Sequence, residues 1–582
     1  MSNLILPPRK KLITQRYTTL KNERSSYDSH YRLLAQNILP RSSRFMATDR
    51  NQNGGPKHNS IIDSTGTRAL RTLAAGMMAG MTSPARPWFT LRTPDDELNK
   101  SHAVKLWCQQ ITDLMLRIFR KSNTYNALHS IYRELGVFGT AANFISPDFD
   151  NVIHNYTATA GEYALGLDNR MMVNTIYREF EITLDQAAQW RFQLTPEQQH
   201  KVDTAKGDEA ITVLHAVEPR RERDQTKRDA RNMPFQSAYV QVGGDELTIL
   251  QEGGFRSFPA MCPRWDATSN DTYGSSPGMD ALGDILQLQQ QQFRKSEAID
   301  YKARPPLQAP TSMKEQDSDF LPGGVSFYDA SGPGTGIRTA FEVQLDLSHM
   351  MEDIRDVRER VNSSFYADIF LMLANSTDMR MTATEVAERH EEKLLMLGPV
   401  LERLHNELLQ PLIDATFARV IESGIAPPPP EELAGQDLQV EFVSMLAQAQ
   451  RAISVNAVDR FVANLGSIAS FSPNVLDRFD GDAWVEHYSD VLGVDASLIV
   501  ASDKAAFIRQ QRAQQQQAMA ANEQANIAAD TANKAAQAQA TAAEAGGGGY
   551  TPPPGATIGG GNPPLDLNNL FSGYGSPTGA GL

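Results

Sequence analysis

Between Leu347 and Leu412 apolar residues return every three or four positions in two long runs. The first is Leu347, Met351, Ile354, Val357, Val361, Phe365 and Ile369; the second is Leu394, Leu397, Leu401, Leu404, Leu408 and Leu412. That period places each set along one stripe of a helix, with Arg, Asp and Glu between the stripe positions, and a stripe of this length has to be covered by other helices or another chain. The expectation is one helix from Leu347 to Leu373 and a second from Thr382 to Gly424, joined by the polar segment 374–381. Thr382-Ala-Thr-Glu385 fits a capping box at the start of the second. Gly398-Pro399 and Pro411 are expected to kink it, because each proline removes a ladder hydrogen bond.

The rest of the chain divides by pattern. Leu12 to Ile38 reads as one amphipathic helix ended by Pro40, and Asn51 to Asn59 as a loop. Asp63 or Ser64 then caps a helix rich in Ala and Gly, which Ser83-Pro84 and Pro87 stop. Helices are expected at Ala103 to Arg120 and Tyr125 to Phe138. Beyond Phe144, short runs beginning at Tyr163, Met172, Ile211 and Ala238 read as strands. Ser276 and Pro277 suit the cap and first turn of a helix reaching about Lys302, which Pro305-Pro306 ends. A Pro/Gly-rich insert follows to about Arg338, and helical patterning returns from Leu438 to about Val500 after a rigid Pro427 to Pro430 spacer. Residues 505–545 are Gln- and Ala-rich with good helix propensity, and 546–582 are rich in Gly and Pro and expected to be disordered. The fold class is thus α+β, predominantly helical.

Composition narrows the chemistry. The chain has 582 residues, 55 Lys and Arg against 69 Asp and Glu, and a formal charge of −14. Tight non-specific wrapping of a phosphate backbone is disfavoured at that charge, so any nucleic-acid contact should be local or loose. Only Cys108 and Cys262 are present, which excludes a Cys-rich zinc site and a disulfide framework and suits a reducing compartment. The N-terminal apolar run is too short for a signal peptide, and Ala69 to Met81 is too short to span a membrane. A soluble protein made in the cytoplasm is expected.

No catalytic, cofactor-binding or metal-ligating residue is assigned. Gly332-Pro-Gly-Thr-Gly-Ile-Arg-Thr lacks the Lys and the spacing of a phosphate loop. Asp63-Ser-Thr-Gly directly precedes a helix, where Asp and Ser are ordinary caps. Glu402-Arg-Leu-His405 has the Glu-x-x-His step of a di-iron bundle without a second copy, and reads as a solvated helix face, as do Glu388, His390, Glu391 and Glu392. No Gly-x-Ser-x-Gly elbow supports a hydrolase. Trp88-Phe89 fits core better than a base-stacking platform. Arg220-Arg-Glu-Arg with Lys227-Arg-Asp-Ala-Arg231 is either a weak basic patch or a solvated loop between strands.

Read in order, Asp63-Ser-Thr with its Ala/Gly-rich helix and Pro87-Trp88-Phe89, Tyr273-Gly-x-Ser-Pro277, Leu321-Pro-Gly-Gly, Thr382-Ala-Thr-Glu385-Val and Gly398-Pro-Val-Leu401 resemble the head-to-tail connector, or portal, proteins of short-tailed bacteriophages. The resemblance spans roughly residues 10 to 425. It implies a ring, typically of twelve subunits, at one capsid vertex, through which double-stranded DNA is packaged and ejected. Twelve copies would carry about −168, and such a channel repels phosphate and lets DNA slide. The family's parts map as a wing at 1–272, with a β-rich part at about 145–262, a first stem helix at 273–303, a clip at 304–342 and a second stem helix at 343–373. A tunnel loop at 374–381, a kinked tunnel helix at 382–424 and a helical crown at 436–504 follow, with 505–545 a helix or barrel and 546–582 a tail.

Site residues implied by the resemblance are Asn375, Ser376, Thr377, Asp378, Met379, Arg380 and Met381 facing DNA in the tunnel loop, and Leu321, Pro322, Gly323 and Gly324 in the clip. Implied partners are other copies of the chain, a separate packaging ATPase (terminase), capsid protein and tail adaptor proteins, in the virion at the head-tail junction after assembly in the host cytoplasm. No cofactor and no membrane are expected. Two competing classes are a nucleic-acid-processing metal-dependent hydrolase, whose carboxylates come together only in the fold, and a membrane-active ejection protein.

Overall fold

The computed structural model describes residues 9–40, 42, 44–45, 60–95, 98–227, 229–243, 249–268, 270–311, 321–328, 337–339, 348–375, 397–433, 438–442, 461–468, 471, 474, 479–492, 500 and 502–544. The chain divides into two compact units, Met1–Ile499 and Val500–Leu582. In the first unit, α1 (Arg9–Asn37) buries Ile13, Tyr17, Leu20, Tyr31 and Leu34, the stripe its period predicts. α2 (Thr65–Met81) uses its small residues for close approach: a methyl group on Gly76 would lie 2.1 Å from Cγ of Phe370, and one on Gly66 2.9 Å from Cδ1 of Ile285. β1 (Phe89–Arg92) leads to α3 (His102–Lys121) and α4 (Thr124–Phe138). Trp88 and Phe89 are buried against Phe119, so this aromatic pair is core.

The β-rich part holds β2 (Ala142–Asp148), β3 (Val152–Ala158), β4 (Tyr163–Leu167) and β5 (Val173–Thr183), then the short helices α5 (Leu184–Gln189) and α6 (Pro196–Asp203). β6 (Ala210–Pro219), β7 (Phe235–Gln241), β8 (Ile249–Phe255) and β9 (Ala260–Met261) complete it. β4 to β8 form one antiparallel meander in chain order, and β2 pairs with β3 and β9 in a second sheet. Alternation along β5 assigns its two faces. Tyr177 packs with Tyr17 and Leu20 of α1, while Phe180 and Ile182 pack with Leu184 and Phe192 beyond the strand end.

The second half opens with α7 (Pro277–Asp280) and α8 (Leu282–Ala303). A small sheet follows, with β10 (Leu307–Pro310) central, β11 (Val325–Tyr328) parallel to it and β12 (Arg338–Thr339) antiparallel. The helix expected from Leu347 to Leu373 is instead two: α9 (Ser348–Ser364) and α10 (Ala367–Asn375). Tyr366 has φ +54, a left-handed conformation that ends a helix, and its N–H turns back to Ser363 O. The break redirects the stripe. Phe365 is buried in the same cluster as α2, Ile369 and Phe370 follow it there, and the Tyr366 ring stacks obliquely on Trp265.

The last long helix of the unit is described from 397. α11 covers 397–404, a π-helical turn covers His405–Leu409, and α12 (Gln410–Glu422) continues it. The capping box at Thr382–Glu385 lies outside the described residues, as do Glu388, His390, Glu391 and Glu392. Trp107 Nε1 donates to Pro427 O at 3.0 Å, which ties the proline spacer to α3. In place of the helical pattern expected from Leu438, Gln439–Phe442 is a strand, β13, antiparallel to β1 with Phe89 opposite Phe442 and Leu91 opposite Val440. An edge left open by β1 and the alternation Val440/Phe442 outweigh local helical spacing here. α13 (461–468) and α14 (Gly481–Leu492) follow. In the second unit, α15 runs unbroken from Ser502 to Glu544.

Candidate functional site

Two phrases of the portal-like set, at Tyr273 and at Asp63, make joints between distant elements. In Tyr273-Gly-Ser-Ser-Pro, the buried Tyr273 hydroxyl accepts Leu165 N–H at 3.0 Å, anchoring the entry to α7 on β4. Gly274 crosses the end of α4 in backbone contact: a Cβ there would lie 2.4 Å from Gly139 O, and one on Gly139, which has φ +70, would lie 2.2 Å from Gly274 O. The Ser276 hydroxyl accepts Met279 N–H at 3.0 Å as the helix cap and donates to Val137 O at 2.7 Å. Pro277 then occupies the first helical position, where no N–H is needed.

Asp63 is a cap and more. Its Oδ1 accepts Thr65 N–H at 2.8 Å, whereas Ser64, at the cap position of α2, makes no side-chain cap bond. Its Oδ2 accepts from Arg358 of α9 at 2.7 Å and from Gln292 of α8 at 3.0 Å. The buried Gln289 carboxamide accepts Ile62 and Asp63 N–H and donates to Asp63 O. Burial works against the carboxylate, yet the bonds from Thr65 and Arg358 outweigh it and hold its pKa below the usual value. Three helices are thereby pinned at the start of α2.

The third joint joins the loop after β9 to the last long helix. Arg264 donates to Glu407 through its backbone N–H at 2.9 Å and through Nη2 at 2.7 Å, and both side chains are buried. Its remaining donors reach Asp271 O and Met171 O. Glu407 lies inside the π-helical turn. Gln410 N–H reaches back five residues to His405 O, and Pro411, which has no N–H to give, starts the next turn. A π-turn inserts one residue and rotates the helix face, so Pro411, one of the two prolines expected to kink this helix, is absorbed by the feature that presents Glu407 to Arg264.

In the insert, Leu321-Pro-Gly-Gly is a type II turn. Gly324 N–H donates to Leu321 O at 2.8 Å, and Gly323 carries φ +81 at the position that requires it. Gly323 N–H also reaches Arg304 O at 2.9 Å and Leu307 N–H reaches Gly324 O, which seats the turn on the end of α8. Leu321 is exposed at its tip. Of the residues assigned to a DNA-facing loop, Asn375 ends α10; Ser376, Thr377, Asp378, Met379, Arg380 and Met381 lie outside the described residues.

Other candidates resolve as structure. His405, expected on a solvated face, is half-buried, and burial pushes its imidazole down to about 4. Glu402 is exposed as expected, whereas His405 opens the π-turn and is drawn partly inward. The Arg220 side chain is almost fully covered and donates to Glu252 and to Gly253 O, whereas Arg223 and Lys227 lie in an exposed loop between β6 and β7. Among the described residues no three His, Cys, Asp or Glu come together as metal ligands, and no helix is long and apolar enough to cross a membrane.

These joints belong to a helical and sheet framework of the head-tail connector class, and comparison with known proteins identifies it. The chain belongs to the bacteriophage head to tail connecting protein family, whose model matches residues 10–500. It is 58% identical over 511 residues to the "Probable portal protein" of Bordetella phage BPP-1, covering 88% of this chain and 92% of the relative. It is 39% identical over 518 residues to the "Portal protein" of Salmonella phage epsilon15, again over 88% and 92%. A chain in "Neck of empty GTA particle computed with C6 symmetry" aligns over 69% of this chain and 86% of its own length at 12% identity and a TM-score of 0.34, an overlap too low to compare folds. Neither the comparisons nor the described geometry supports a nucleic-acid-processing hydrolase.

Proposed function

We propose that the chain is the subunit of a portal ring at one capsid vertex, a channel for packaging and ejecting double-stranded DNA and the docking site for packaging ATPase, capsid protein and tail adaptors. The observation that carries this reading is similarity to named portal proteins over nearly the whole of both chains. Exposed apolar residues on the two stem helices support it: Leu286, Phe293 and Ile299 on α8 and Met351 on α9 are large, and one chain leaves them uncovered. Closed rings bury such surfaces in head-to-tail contacts. In this reading 1–272 is the wing, 273–303 and 343–373 the stem, 304–342 the clip, 382–424 the tunnel helix and 436–504 the crown. The role is structural, in the virion at the head-tail junction.

Light scattering and negative-stain imaging of the purified protein, without nucleotide or metal, are expected to show rings of about twelve copies. A monomer at every concentration and salt tested overturns the reading. Within the ring, 374–381 is proposed to line the narrowest part of the channel, with Arg380 touching passing phosphates weakly and without sequence preference. Arg380→Ala with a loop shortened by two residues is expected to leave ring assembly intact and to impair DNA packaging or retention. Normal behaviour in assembly, packaging and retention would mean that the segment does not face DNA.

A further inference from the structure

On this acidic chain, residues 220–231 carry six Arg and Lys against three Asp and Glu. Two of those cations, Arg223 and Lys227, face a concave site. The segment leaves β6 and returns to β7, with Arg220 N–H on Pro234 O at 2.7 Å closing its ends. Asp224 Oδ1 accepts Thr226 N–H at 3.0 Å, Asn232 Oδ1 accepts Asp224 N–H at 3.0 Å, and Asn232 N–H reaches Asp229 O at 3.0 Å. The loop also sits directly on β8, where a Cβ on Gly254 would meet Ala230 O at 2.3 Å. These bonds hold the described part of the loop without a ligand.

Between this loop and Arg256, just past β8, lies a cleft of about 590 Å³ lined by Arg223, Lys227, Arg256, Gln225 and Asn232, with Met233 and Pro234 as its apolar share. Of the nearby carboxylates, Asp229 accepts from Asn232 and Asp224 from Thr226; Asp224 also pairs with the cleft's own Lys227 at 3.3 Å, an exposed pair that a competing anion can replace at little cost. Arg256 has Glu422 at 3.3 Å, another such exposed pair. Arg223 has no partner among the described residues. We infer that this cleft binds the phosphodiester backbone of DNA at a second site, separate from the segment proposed to line the channel. Cations on long exposed side chains together with amides are the groups that contact phosphate and sugar. An acidic peptide would instead need a desolvated apolar anchor, and two flanking residues do not build one. The cleft is too small for a duplex and takes the edge of one strand, so binding has no sequence preference and weakens with salt.

The test uses the full chain and a fluorescent duplex of about 30 base pairs, with affinity measured by anisotropy from about 50 to 200 mM salt. R223Q/K227Q/R256Q is expected to weaken binding at the lowest salt by about tenfold or more. It should also flatten the slope of log affinity against log salt by up to about 2.7, at about 0.9 for each phosphate that is no longer neutralised. The charge-conserving variant R223K/K227R/R256K should bind as the parent does, which separates charge from folding. An unchanged slope in the neutral variant overturns the inference. So does a loss of ring assembly in the neutral variant, which would make the cleft an interface between copies. Selective loss of polyglutamate binding with DNA binding intact would assign the cleft to an acidic protein and likewise overturn it.

Discussion

Glu407→Ala is expected to destabilise the first unit by about 3–5 kcal/mol, because it leaves the Arg264 guanidinium buried without its counter-charge. The magnitude follows from the setting. Both side chains are almost fully covered, and Arg264 gives Glu407 its backbone N–H as well as its Nε and Nη2 donors. An exposed pair such as Arg256 with Glu422 should cost less than about 1 kcal/mol when broken. Arg264→Met alone is expected to be comparably harmful, since Asp271 O and Met171 O also lose their donor. Combining Arg264→Met with Glu407→Ala should cost less than the two single changes together, by about 1–3 kcal/mol, as expected of groups that touch directly. Chemical denaturation of all four proteins measures this. Additive losses would show that the pair does not hold the loop after β9 to the last helix.

Gly139→Ala is the second large effect, expected at about 2–4 kcal/mol, from a left-handed backbone that disfavours a side chain and from overpacking. Gly139 has φ +70 as the residue ending α4, and its new methyl would lie 2.2 Å from a main-chain oxygen, Gly274 O, with Ser275 C at 2.7 Å. Main chain cannot swing aside as a long side chain can. Gly274→Ala meets the same crossing from the other side, at 2.4 Å from Gly139 O. Gly243→Ala is the matched control, because it too has positive φ but nothing within 4 Å of an added Cβ. Thermal unfolding of the three variants separates the terms. A fall at Gly139 no larger than at Gly243 would mean that the crossing tolerates separation.

Much of the framework is written in short-range pattern. The helix from Arg9, the cap and proline that open α7, and the strands at β4, β5, β6 and β7 depend on period, caps and turn residues within a few positions. The same kind of signal was available at Thr183-x-x-Gln186 and Thr195-x-x-Gln198, which are capping boxes opening α5 and α6. The resemblance to portal proteins rests on ordered local phrases, and those at Asp63 and Tyr273 are compact solutions to a joint. Tyr273 to Pro277 anchors, crosses, caps and starts a helix within five residues.

Where partners are distant, sequence pattern is silent or misleading. The stripe from Leu347 to Ile369 looks continuous, but Tyr366 breaks it because Phe365, Ile369 and Phe370 must reach the small residues of α2, almost three hundred positions earlier. Gln439–Phe442 lies where the sequence pattern reads as helical, and it becomes a strand because β1 offers an open edge. Arg264 and Glu407 are ordinary charged residues in sequence, 143 positions apart, and only the π-turn and the burial around it make them a pair. By itself the sequence determined the periods, the caps and the family, since these are properties of neighbouring residues. The tertiary structure decided which helices break, which strand closes an edge and which charges meet, because those free energies arise from surfaces that exist only once the chain has packed.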